Sequence, residues 1–261
     1  MPGNAELTVE QTLAITDPGE KDRELQSRAD RIIIQLGNIV AWLFPILMLA
    51  ICTQVVIRKM GHNQAWLDDA QWWLYGFAMT VGFFYAITTQ SHVRVDILHQ
   101  HFTRKKKAKI EVFGLGWLLL PFILIMIDIL FHYGWASVIA REGSDSPNGL
   151  HRLYLLKMSL PILFVFAALA TVSIALRHLA TLAPVRLWTA ILALLPAVIF
   201  GLERLTFYAL YWFTLWSNPE INPRRISREP IFEWTLWIAL AVLVILFILS
   251  FIRSRRTAEE G

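Results

Sequence analysis

Residues 32–57 read IIIQLGNIVAWLFPILMLAICTQVVI, a run of 26 residues without Asp, Glu, Lys or Arg. A helix needs roughly 20 apolar residues to cross a hydrocarbon core about 30 Å thick. A membrane β-strand needs only about 9–11 alternating residues, and this run neither alternates nor stops that early. It therefore predicts a membrane helix. The same pattern recurs at residues 70–93, 112–140 (interrupted by Asp128), 158–176, 187–216 (interrupted by Glu203 and Arg204) and 234–252. Six such runs predict an all-α polytopic membrane helical bundle. Residues 187–216 leave two readings open: one crossing, or a short span followed by an interfacial helix.

The composition agrees. Of 261 residues, 56% are hydrophobic and 17% charged, where a soluble domain carries about 25% charged residues. Mean hydropathy is positive. A soluble globular domain, a disordered chain and a nucleic-acid-binding module are all disfavoured. The balance of 24 Lys and Arg against 20 Asp and Glu therefore reads as membrane topology. A single cysteine, Cys52, excludes an internal disulfide framework and any multi-cysteine metal site.

Residues 1–31 are polar and acidic before the first basic residue, unlike a secretory signal. They are expected to form a mobile cytoplasmic tail before an uncleaved first helix. Arg94, Arg104, Lys105, Lys106, Lys107 and Lys109 make the densest basic segment, so that loop is expected in the cytoplasm. Six crossings put both termini there, and the tail at residues 253–261, with Arg253, Arg255 and Arg256, agrees. Arg224, Arg225 and Arg228 would then fall outside, which weakens the fifth crossing.

Three groups of residues could carry chemistry. His92, Asp96 and His99 would share one face of a helix, but their spacing matches no zinc signature; basic residues meeting lipid phosphates at the membrane surface are the simpler reading. Asp128 and His132 lie four apart in the third run. A charge within a span is a functional candidate by default, yet its place near the outer end also suits an interfacial pair with His132. Glu203 and Arg204 are adjacent, so on a helix they should not face each other; either the helix ends there or each finds a partner on another helix. His132 falls at the outer end of the third run and His178 at the inner end of the fourth, so they cannot share a haem iron, and His62 and His151 fall in outer loops. No metal, cofactor or catalytic set is expected. There is no internal repeat of the kind that self-sufficient secondary transporters often show, which points to an accessory subunit.

Residues 66–75 (WLDDAQWWLY), 83–86 (FFYA) and 92–96 (HVRVD), followed by the basic run, are similar to the small membrane subunit of the tripartite ATP-independent periplasmic (TRAP) transporters. Arg141-Glu142-Gly143-Ser144, Pro147-Asn148-Gly149-Leu150, Lys157 and Pro161 resemble the outer loop and fourth-helix start of its mannitol/chloroaromatic subtype. The resemblance implies a four-helix domain over residues 32–180; this chain departs from it by adding one or two further helices at 181–252. It implies two protein partners: a large permease subunit that carries the substrate and sodium sites, and a periplasmic solute-binding protein. It further implies a non-catalytic scaffold in the bacterial inner membrane, serving import of an organic acid or similar solute on the sodium gradient. His92, Arg94 and Asp96 carry over as an assembly motif. Ser91 stands where the family often has Gly.

The polar outer segments, with Asp68, Asp69, Arg141, Glu142 and Lys157, are expected to face the binding protein. The competing readings are a membrane enzyme or redox subunit using Asp128 and His132, and a complete small transporter with Asp128 as a proton relay.

Overall fold

The computed structural model describes residues 19, 24, 26–91, 101–218, 220 and 222–259. Among these there is no strand, and all six apolar runs are helical. Helix α1 (Arg28–Ala41) and α2 (Leu43–Lys59) follow each other almost without a break, then α3 (Ala65–Thr89) and α4 (Arg104–Phe113). A π-helical turn (Gly114–Leu119) joins α4 to α5 (Leu120–Ala140). Then come α6 (Leu153–Ala180), α7 (Leu187–Ala193), α8 (Leu195–Ser217), the short α9 (Pro223–Ile226), a 3₁₀ turn (Pro230–Trp234) and α10 (Thr235–Glu259).

Among the described residues, four stretches are long and apolar enough to cross a membrane: Arg28–Lys59, Arg104–Ala140, Leu153–Ala180 and Pro230–Arg255. A fifth exists if α7 and α8 count as one broken span. The expected second crossing is a 25-residue helix, α3. Its length, about 1.5 Å per residue, suffices, but it is not among the helices apolar enough to qualify. Its Trp, Tyr, Thr and Gly residues dilute the aliphatic ones.

Local chemistry sets the helix ends. Helix α1 starts at Arg28, before the apolar run, because Ser27 caps it: Asp30 N–H donates to Ser27 Oγ (3.2 Å) and Ser27 N–H donates to Asp30 Oδ2 (2.9 Å). This reciprocal pair is a capping box. Residues 28–31, assigned to the tail above, are thus helical, and Asp30 is fully buried. The break at Trp42 falls where Pro45 has no N–H for the Ala41 carbonyl.

The chain forms two compact units. The first comprises residues 1–100 and 125–174. Phe84, Val81, Ala78 and Ile33 are buried in it, with Ala167, Ala170 and Ile174 of α6. Phe83 lies against Phe164 and Phe84 against Phe166. Gly37 gives up its side chain to the ring of Tyr85, and Gly134 lets α5 approach the backbone of Lys157 and Met158. The Lys157 carbonyl there is the one that Pro161 cannot satisfy. Gly76, Gly82 and Gly114, by contrast, face open space.

The second unit comprises residues 101–124 and 175–261. Residues 181–261 therefore do not stand alone; they pack with α4 and the π turn. Gly116 lies against the Ala193 carbonyl, so a Cβ there would collide with backbone. Residues 187–216 are not one helix. Seven residues of α7 meet the 23 of α8 at a bend of 96°. Pro196 sits at the start of α8, where its missing N–H costs nothing. The short segment thus comes first and is far too short to span, the reverse of the order considered above.

The expected break at Glu203 does not occur: α8 runs through it to Ser217. Nor do the two charges point apart. Arg204 Nε and Nη2 donate to the two carboxylate oxygens of Glu203, at 2.6 and 2.8 Å. The arginine side chain is long enough to fold back along the helix. There it lies over the rings of Phe207 and Phe200, while Thr235 of α10 donates to Glu203 at 3.2 Å.

Candidate functional site

The most elaborate polar construction lies in the first unit, where the connection between α5 and α6 folds onto the start of α3. It begins with the end of α5. Arg141 adopts a left-handed backbone (φ 50°); its N–H donates to the Val138 carbonyl and the Glu142 N–H to the Ser137 carbonyl. This is the Schellman way of ending a helix, at a position that usually falls to glycine. Here an arginine occupies it.

The turn delivers Glu142 into a ring of donors. Lys157 Nζ donates to both carboxylate oxygens at 2.6 Å, and Ser137 Oγ donates to Oε2 at 2.6 Å. Lys157 also lies over the Tyr133 ring. The lysine and serine bonds hold the Glu142 carboxyl below the usual carboxylate range. The Lys157 side chain is only 13% exposed, against 40% for Glu142. Lys157 is therefore committed inside the unit.

The loop then closes on itself and on α3. Ser144 N–H donates to the Leu150 carbonyl at 2.9 Å, and Leu150 N–H donates to Asp69 Oδ2 at 2.9 Å. Asn148 takes a left-handed conformation (φ 64°), which Asn tolerates better than most residues. Gly149 passes so close to Ser144 and Asp69 that no Cβ fits. Asp68, one residue earlier, accepts from Arg58 Nη2 at 2.8 Å across the α2–α3 turn. So four of the five residues expected to face a partner are already bonded within the unit. The fifth, Arg141, is exposed, and its side chain makes no hydrogen bond or ion pair among the described residues.

The other candidates fare differently. His132 Nδ1 lies 2.8 Å from the Asp128 carbonyl oxygen and 4.0 Å from its carboxylate. The His132 side chain is well exposed, and the pair has the form of a helix-surface contact. His92, Arg94, Asp96 and His99 lie outside the described residues. No group of three or more His, Cys, Asp or Glu residues is placed to hold a metal among the described residues. Sequence reasoning missed Gln54, which is 5% exposed with neither amide atom bonded. Lying inside an apolar run, it carried no signal beyond being polar.

Long apolar helices with exposed aliphatic faces, joined by one tightly bonded polar loop, define a polytopic membrane protein. The model of the DctQ component of tripartite ATP-independent periplasmic transporters matches residues 47–182. The chain belongs to this family, whose members are transporter components and not enzymes. The match spans α2 to the end of α6 and includes the whole Asp69–Glu142–Lys157 construction. Residues 183–261 lie beyond it. Comparisons with curated proteins and with solved structures find no match.

Proposed function

We propose that this chain is the small, non-catalytic membrane subunit of a sodium-gradient-driven importer of an organic acid or similar small solute, of the mannitol/chloroaromatic type. It scaffolds a large permease subunit in the bacterial inner membrane, with the α2–α3 turn and residues 141–152 on the periplasmic side and both termini inside. The positive-inside count of the basic run supports this orientation. The apolar surface supports a scaffold: Trp42, Met48 and Leu49 of α1 and α2 are about 70% exposed, and in α2 only Gln54 is buried.

The same orientation makes the loop a docking surface for the periplasmic binding protein. Arg141 carries that reading. An exposed arginine held in a backbone conformation that disfavours side chains, with no partner of its own, marks a residue kept for something outside the fold. Its guanidinium suits a carboxylate on the partner.

The test is affinity purification of the full chain in mild detergent, with mass spectrometry of what accompanies it, followed by reconstituted uptake. A large multi-spanning permease is expected in near-equal amount. Arg141→Glu is expected to lower uptake while leaving that permease bound. Recovery of the chain alone refutes the subunit reading; unchanged uptake with Arg141→Glu refutes the docking role alone.

A further inference from the structure

A groove runs along the second unit with a volume of about 460 Å³. Its walls are apolar, formed by Val112 and Trp117 on one side and Leu179, Leu182, Trp188 and Leu192 on the other. Lys109 lines it too, and no Asp or Glu does. The polarity runs along its length. Lys109 to Trp117 is eight residues of helix, about 12 Å, leading from the basic turns of α4 to the level where Gly116 meets Ala193.

Two more cations stand near Trp188. Arg186, two residues before Trp188, donates to Ser254 at 2.6 Å, which brings the end of α10 alongside. Trp188 stacks edge-on with Phe247 and Phe251, and Arg255 lies over Phe251. A cationic rim opening into an apolar trough is complementary, in order, to an anionic headgroup followed by an acyl chain. A permease helix would not suit it, since its apolar face would have to cover Lys109.

We infer that this groove is a binding site for one anionic glycerophospholipid, with the phosphate at Lys109 and an acyl chain along Val112, Trp117 and Leu192. Lys109, Val112 and Trp117 fall within the family match, whereas Trp188, Leu192 and Ala193 lie beyond its end, so the C-terminal extension completes the site.

Native mass spectrometry of the full chain, released from nanodiscs of equal phosphatidylglycerol and phosphatidylcholine, tests this. One basic side chain near a headgroup is worth roughly fivefold in preference. The wild type should therefore retain phosphatidylglycerol over phosphatidylcholine by at least about fivefold. Lys109→Gln should bring that ratio towards one without reducing the total lipid retained. Leu192→Trp, which fills the trough, should abolish retention. Equal retention of the two lipids by the wild type overturns the proposal, as does a ratio that Lys109→Gln leaves unchanged. If Leu192→Trp keeps its lipid but sheds a large membrane subunit, the groove is a protein interface and the proposal is also wrong. Should Leu192→Trp fail to fold, the Lys109→Gln ratio still decides.

Discussion

Removing the carboxylate of Asp69 should release the loop between α5 and α6. Asp69 Oδ2 accepts the Leu150 N–H at 2.9 Å, the bond that ties the loop to α3 across 81 residues of sequence. A hydrogen bond to a charged group is worth about 1.5–3 kcal/mol. Asp69 is half-buried, so the lower end applies, about 1.5 kcal/mol, or roughly tenfold in the loop's opening equilibrium. Asp69→Ala should therefore speed amide exchange in peptides covering residues 144–151 by about tenfold. Asp69→Asn keeps a neutral acceptor, worth about 1 kcal/mol, and should speed exchange only two- to threefold. Hydrogen–deuterium exchange of the full chain in nanodiscs reads both, with the α3 peptides as internal reference. Exchange in Asp69→Ala no faster than wild type would falsify the assignment of Asp69 as the tie. Equal acceleration in both variants would show that the negative charge of Asp69, not its hydrogen bond, holds the loop closed.

Three further outcomes are expected. Gln54→Leu should raise the unfolding midpoint in detergent, by about 1 kcal/mol or more, because it replaces a buried, unbonded amide with an apolar group of similar size; a lower midpoint would mean that the amide has a partner. Gly116→Ala should cost about 1–3 kcal/mol by driving a methyl into the Ala193 carbonyl. Gly114→Ala, with nothing within 4 Å, should be neutral or stabilising as a better helix former; equal effects in a thermal-unfolding assay would contradict the packing of the π turn. Because the folded Glu142 carboxyl titrates below its unfolded value, its contribution is fully present above the ordinary carboxylate range, near pH 4.3. It is lost as pH falls through the folded value. Exchange at residues 141–144 should thus be flat from pH 8 to about 5, once corrected for intrinsic rates, and rise only at lower pH; Glu142→Gln should show the rise at neutral pH.

Much of the architecture was legible because hydrophobic length is a property of consecutive residues. The run at 32–57 needed no partner to be read as a helix, and neither did the run at 234–252. The loop motif was legible as a pattern but not as a mechanism. Nothing in the order of Arg141, Glu142 and Lys157 distinguishes two residues neutralising each other from one left free. That depends on the left-handed turn at Arg141, which swings Glu142 back under Lys157. Glu203 and Arg204 show the opposite error. Helical spacing says that neighbours diverge, but it ignores how far an arginine can fold back when Phe200 and Phe207 lie under it and Thr235 holds the Glu203 carboxylate.

Sequence alone determined that this chain is helical and apolar enough to cross a membrane, and it marked out the polar segment around residues 141–157, since each of these follows from local composition or from residues close in order. The tertiary structure decided which polar groups are spent inside the fold and which remain available, where α7 turns into α8, and that the C-terminal helices join α4 in a grooved second unit. These depend on contacts between residues distant in sequence, such as Asp69 with Leu150 or Gly116 with Ala193, whose free energies exist only once the helices have packed.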